Sequence, residues 1–257
     1  MKRARTGFRD NRSGQLLIVT ALAIALTVSS TITYVYDLNR TPGQAETSLS
    51  ADFVLSLKQA GSNVVVSGLA NVSNGGDRSV LAANAEVFSQ TLRRLDRPET
   101  CSLKSASFND SMYSSGVFLD WNASGRGLSS ACVSFDLTTD GMDGRVASLF
   151  TVNVTTAMTL QGMYTVLLDG GKQLNLTCTV LNEERPALLE SLIVYYEDLG
   201  LWAVAGPANN LTVAADGEGT YHVAFTAYTS SEPVHVLANV WDKRGIFVQT
   251  DVTCLPS

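Results

Sequence analysis

Hydrophobic and polar positions change texture three times along the chain. Gln15 to Tyr36 carries no charge. A helix of that length, at about 1.5 Å per residue, spans about 33 Å, enough to cross a bilayer. Tyr34 and Tyr36 close it, where aromatic rings favour the headgroup region. After the polar connector TPGQAETS, residues Leu49, Phe53, Leu57, Ala60, Val64 and Gly68 recur at three- and four-residue steps, one face of a helix. Asn74-Gly75-Gly76 breaks that stripe. Asp77 then reads as an N-cap for a second stripe of Leu81, Ala85, Phe88, Leu92 and Leu95, which ends before Asp96-Arg97-Pro98. The two stripes predict a helical hairpin.

From Cys101 the chain turns to short alternating runs separated by turn residues, the mark of an antiparallel β-fold. In QLNLTCTVL, Leu174, Leu176, Cys178 and Val180 share one face, and Gln173, Asn175, Thr177 and Thr179 share the other. YHVAFTA and GIFVQTDVTC repeat the alternation. Asp169-Gly170-Gly171, Asp216-Gly217-Glu218-Gly219 and Asp242-Lys243-Arg244-Gly245 suit hairpin turns. The pattern predicts an α+β fold: an N-terminal transmembrane helix, a juxtamembrane helical hairpin, then an antiparallel β-rich ectodomain ending in an Ig-like β-sandwich of about seven strands. The expected segments are a basic head at 1–14, the membrane helix at 15–36, linker and hairpin at 37–100, a small antiparallel β region at 101–160 and the sandwich at 161–257.

Charge orients this arrangement. The formal net charge is −6, but Lys2, Arg3, Arg5, Arg9 and Arg12 against Asp10 make the first 14 residues +4 and leave −10 for the rest. A basic head before an apolar run predicts a cytoplasmic N-terminus and an extracellular body, single-pass in the cell membrane. The acidic body has no basic stripe, so nucleic acid is not expected as a partner.

Two further features point outward. Beyond the apolar run, N-x-S/T triplets place candidate glycosylation sites at Asn39, Asn71, Asn109, Asn122, Asn153, Asn175 and Asn210. Composition alone predicts roughly two or three. Cys101, Cys132, Cys178 and Cys254 are an even, widely spaced set without the close pairs zinc requires, so disulfides in an oxidising compartment are expected. Four cysteines allow three pairings. Cys178 and Cys254 both fall on inward strand faces, which favours Cys178–Cys254 and leaves Cys101–Cys132, although Cys132 alternates with Ser134 and Asp136.

No catalytic machinery is legible, and no enzyme activity or cofactor is expected. His222 and His235 stand on strands with no companion at metal or triad spacing. HExxH, G-x-S-x-G and Walker loops are missing from the sequence. Asp136, Asp140 and Asp143 in DLTTDGMDG do not follow EF-hand spacing. Trp121, Trp202 and Trp241 read as strand-borne core residues rather than a sugar platform.

The opening RSGQLLIV, with Gly14 and Gln15 between a basic head and an apolar run, resembles the class III signal of archaeal type IV pilin-like proteins. The resemblance covers about residues 9–36. It implies cleavage between Gly14 and Gln15 on the cytoplasmic side, with the apolar helix as the mature N-terminus. Ser13 departs from the Lys or Arg usual before the Gly, and no Glu follows the cut where bacterial pilins carry one. The stretch SSACVSFDLTTDGMDG is also similar to patterns in a group of archaeal single-span surface proteins, which implies location and no activity. The expected function is a membrane-anchored extracellular structural or adhesive protein, a pilin-like subunit assembling with its own kind or with other pilin-like subunits through residues 15–36. The alternative is a non-cleaved single-span receptor or solute-binding ectodomain.

Overall fold

The computed structural model describes residues 42–94, 100–121, 124–141 and 144–257. The segment 15–36, Gly14, Gln15, Asn39 and Asn122 lie outside the described residues. The chain divides into units 1–56 and 57–257; the architecture below is that of the second.

Two helices come first. Helix α1 runs Pro42–Ser73 and α2 runs Ser79–Arg94. Between them Gly75 takes φ +93°, a left-handed value open to glycine without strain, and the Gly76 N–H donates to the Asn71 carbonyl at 3.0 Å. Asp77 caps α2, its Oδ1 accepting from the Ser79 N–H at 2.7 Å. Hydrogen bonds from the Ser79 hydroxyl and then the Ser79 N–H hold the Asp77 carboxyl below its ordinary range. The buried stripe of α1 is Leu57, Gly61, Val65, Gly68, Leu69 and Val72, one position on from the expected Val64. Gly61 accounts for the shift, and Gly68 was already on the expected face. A Cβ on Gly61 would touch the Phe135 ring at 3.4 Å, and one on Gly68 would lie 2.6 Å from Leu81 Cδ1, so both are close-approach positions.

Twelve strands follow: β1 Thr100–Ser107, β2 Val117–Asp120, β3 Arg126–Gly141, β4 Gly144–Val166, β5 Lys172–Asn182, β6 Arg185–Pro186, β7 Leu189–Asp198, β8 Leu201–Val204, β9 Thr212–Ala215, β10 Thr220–Ala227, β11 Val234–Asp242 and β12 Phe247–Pro256. Their order is β8-β7-β11-β12-β4-β5-β10-β9, with β3 on β4, β1 and β2 on β3, and β6 on β5. All pairs are antiparallel except β12 with β4, a short parallel contact at Leu255–Met163 and Pro256–Tyr164. The sheet turns over at that contact, so the β7–β11–β12 arm faces the β4–β5–β10 arm. The Tyr196 ring of β7 lies 5.8 Å from that of Phe225 on β10.

Strand β4 explains how one sheet serves two cores. Its even positions from Phe150 to Tyr164 face inward. Phe150 and Val154 lie on the half paired with β3, where Phe135 stacks on Phe150 at 5.2 Å and meets Phe88 of α2 edge-on at 6.1 Å. Met158, Leu160 and Tyr164 belong to the core between the two arms, with Leu174, Leu176, Val223, Phe225, Val236 and Val240. The helical turn is tied to the β11–β12 hairpin. Trp241 Nε1 donates to Asn74 Oδ1 at 2.8 Å, Asn74 Nδ2 donates to the Gly245 carbonyl at 2.9 Å, and the Phe247 N–H donates to Ser73 Oγ at 3.0 Å.

The expected α+β fold is therefore corrected. Among the described residues the protein is mostly β, with two α-helices, and no helix is long and apolar enough to cross a membrane. The Ig-like sandwich expected as a separate ending from residue 161 is overturned by β4, which crosses Leu160 unbroken and joins all twelve strands in one sheet. Alternation marks a strand but not its length. Turn residues at 141–144 and 167–171 bound β4, and no turn signal stands at 160.

Candidate functional surface

The outer face of the β3–β4–β5–β10–β9 layer is set by strand alternation. Odd positions of β4 and β5 (Thr151, Asn153, Thr155, Thr159, Gln161; Gln173, Asn175, Thr177, Thr179) point away from both cores. Most odd positions carry hydroxyl or amide groups without charge, with Ala147, Leu149, Ala157, Met163 and Leu181 as apolar members of the same series. Ser134 Oγ and Thr151 Oγ1 lie 3.0 Å apart across β3 and β4, and Thr179 Oγ1 and Thr220 Oγ1 lie 3.1 Å apart across β5 and β10. Near the centre a shallow groove of about 310 Å³ runs between Met163, Asn175, Thr177, Thr212, Ala214, His222 and Ala224.

The five sequon asparagines within the described residues, Asn71, Asn109, Asn153, Asn175 and Asn210, are all exposed. Asn153 and Asn175 stand on the polar face. Asn109 Oδ1 accepts from the Ser115 N–H at 3.4 Å, and Asn153 Oδ1 accepts from Ser130 Oγ at 3.3 Å. Asn210 follows a 3-10 turn, Pro207–Asn209, with φ +53°, and its sequon ends at Thr212, the first residue of β9. Strands β7, β8, β11 and β12 contain no sequon.

The two ends of the sheet differ. Among the described residues strand β8 pairs only with β7 and β9 only with β10. Leu199, Leu201, Trp202 and Val204 are 79%, 75%, 48% and 57% exposed, a run of large apolar side chains on and beside β8. Strand alternation predicts Trp202 in the core with the other tryptophans. Trp121 Nε1 does donate to Ser129 Oγ at 3.0 Å beside the Phe247 ring, and Trp241 packs on the same ring at 4.8 Å. Trp202 is instead at the rim. Its signal was present in Gly200 and Gly206, which bracket a run too short to be an interior strand.

The cysteine expectation is corrected. None of the four residues forms a disulfide. Cys101 is in register with Thr139, seven residues along β3 from Cys132. At about 3.3 Å per residue that is roughly 23 Å, far beyond the roughly 7 Å limit between bridged Cα atoms. Cys178 lies opposite Leu160, whereas Cys254 fills the space over Gly162, where a Cβ would stand 2.7 Å from its sulfur. The two sulfurs occupy neighbouring inward positions of one core without a bond. Burial pushes the Cys178 thiol up to about 12 and the Cys254 thiol up to about 11. Without those pairs the cysteines do not point to an oxidising compartment.

A charged knot at the β11–β12 turn is structural. Asp242 is fully buried. Its Oδ1 accepts from the Arg244 and Ile246 N–H groups at 2.9 Å, and its Oδ2 from Arg244 Nε at 2.9 Å and Thr156 Oγ1 at 3.1 Å. The same guanidinium donates to both Glu183 oxygens at 2.8 and 3.0 Å and to the Thr155 carbonyl at 2.9 Å. Every partner is internal, so the knot locks β4, the β5–β6 turn and the hairpin together. His222 is exposed in the groove, and His235 Nδ1 lies 3.2 Å from Thr253 Oγ1 on the opposite arm. Among the described residues no group of three His, Cys, Asp or Glu side chains is placed to hold a metal ion. Asp136 is exposed on the polar face, and the side chains of Asp140 and Asp143 lie outside the described residues.

Comparison of the chain with family models, with curated proteins and with solved structures gives no match.

Proposed function

We propose that this chain is a structural or adhesive protein of the cell surface, attached to a membrane through its apolar segment 15–36, with its β-rich body outside. The observation that carries the reading is the distribution of sequons. All five within the described residues expose their asparagine, and two of them stand on a polar, nearly uncharged face suited to a coat of sugar. Hydroxyl and amide side chains at that density offer hydrogen bonds to water or glycan. They provide no convergent acid, base or nucleophile of the kind catalysis requires. The groove beside Asn175 is shallow and has His222 as its one titratable side chain, which favours a coated surface over a solute-binding one.

Processing between Gly14 and Gln15, and assembly through residues 15–36 as in pilin-like proteins, belong to the same proposal. Protease treatment of intact cells tests the topology, with the body degraded and residues 1–14 spared as the expected result. A body protected until lysis contradicts it. N-terminal sequencing then separates the versions. A start at Gln15 supports the pilin-like subunit, and a start at Met1 or Lys2 supports the uncleaved anchor.

A further inference from the structure

We infer that β8 is a self-docking edge, through which a second copy of this chain adds its own β8 in antiparallel orientation. In an antiparallel ladder, hydrogen-bonded and non-bonded pairs alternate. The Ala205 N–H donates to the Val194 carbonyl at 2.8 Å, and the register continues as Val204–Tyr195, Ala203–Tyr196, Trp202–Glu197 and Leu201–Asp198. Ala203 and Ala205 therefore bond to β7, and Trp202 and Val204 turn their N–H and C=O groups away from the sheet. Two such edges mate in register only when an outward residue meets an outward residue. A two-fold axis through Ala203 does this, pairing Trp202 of each copy with Val204 of the other through four main-chain bonds. On the outer face each indole then lies against a valine.

Several observations choose this occupant. Leu201–Val204 carries no charge although residues 15–257 sum to −10. In the symmetric pair each Glu197 flanks its own Trp202, and the two Glu197 residues are separated by three strand spacings, roughly 14 Å. That exceeds the screening length of about 8–10 Å in physiological salt, so like charges do not oppose the contact. Edges are ordinarily blunted by Lys, Pro or a bulge, and β8 has none. The other end, β9, is preceded by the Asn210 sequon, which places a glycan at its approach. A four-residue strand covers less than the roughly 800 Å² per partner of a free-standing dimer. Pairing is therefore expected where copies are already concentrated, as on a membrane, and in this respect the inference rests on the surface reading above.

The test uses the full chain in phosphatidylcholine vesicles, oxidised with copper-phenanthroline. Ala203 would face its own symmetry mate in a non-bonded pair, with Cα atoms about 4.5 Å apart, within disulfide reach. Ala203→Cys is expected to cross-link into a dimer about tenfold faster than Val213→Cys on β9, because pairing raises the effective concentration at β8. Adding Val204→Pro removes an N–H that only the partner uses and is expected to abolish the difference. Near-UV circular dichroism confirms that this variant keeps its fold. Equal rates at the two edges, or a dimer that survives Val204→Pro in a folded chain, overturn the inference. If wild-type chain stays off the vesicles, the surface reading fails, and cross-linking in concentrated solution still decides the edge.

Discussion

Strands β8 and β9 end the same sheet, each four residues long and each paired on one side. Their contents differ. β9, Thr212–Ala215, carries small side chains with Val213 as its largest apolar one at 50% exposure, and it begins within the Asn210 sequon. β8 projects Leu201, Trp202 and Val204 from an arm that has no sequon. An exposed ladder edge recruits other strands unless something blocks it. On the proposed surface reading, a glycan at Asn210 would guard one edge while the other stays open to a second copy.

The largest expected effect tests whether the two edges belong to one folding unit. Phe225 on β10 is fully buried against Tyr196 of β7. Phe225→Ala is expected to cost about 3–5 kcal/mol, read as a fall in the urea midpoint. Hydrogen exchange should rise at β8 and β9 together. Faster exchange confined to β9 would break the face-to-face account.

Next comes the knot that holds β4 to the hairpin on the open arm. Arg244→Met leaves the Asp242 carboxylate buried without its cation, a change expected to cost about 3 kcal/mol. Glu183 is 44% exposed at its side chain, so Glu183→Gln should cost less than about 1 kcal/mol. Equal losses would mean that the knot is a surface ion pair and not an internal brace.

A pH series probes the core beneath both edges. Burial raises the Cys178 and Cys254 thiols from 9.0 to about 12 and about 11. Each keeps its proton longer when folded, so its contribution is complete below the unfolded value and is lost as pH climbs from about 9 toward 11–12. The urea midpoint should fall over that range, and fall less in Cys178→Ala. An identical decline in wild type and variant would exclude the thiols as its source.

The smallest change in stability should come from the edges themselves. Thr212→Val removes the Asn210 sequon without touching the left-handed Asn210 (φ +53°) and is expected to move folding by less than about 0.5 kcal/mol. In glycosylated chain it should nevertheless raise Val213→Cys cross-linking toward the rate at β8. No rise would show that the sequon does not guard β9.

Much of this fold was legible from alternation. Leu174, Leu176, Cys178 and Val180 are buried and Asn175 is exposed, as the QLNLTCTVL pattern requires. The stripe from Leu81 through Ala85 to Leu92 is the buried face of α2. What escaped was longer in range. The α1 stripe shifted by one position at Ala60 and Val64 because Gly61, which has no side chain for hydropathy to register, is the residue that approaches the sheet at Phe135 and Phe150. The cysteine pairs failed because facing inward says nothing of position along a strand. Cys101 and Cys132 are separated by register, and Cys254 is drawn to the gap at Gly162. The β8 edge was missed because an apolar run reads the same whether a sheet covers it or ends at it.

The account rests on a body that lies outside the cytoplasm with its polar face coated, and glycopeptide mapping of protein recovered from its native membranes tests this most directly. The predicted result is glycan on exposed asparagines of the polar side, Asn175 or Asn210 among them, with β7, β8, β11 and β12 bare. Unmodified asparagine at every sequon would contradict it.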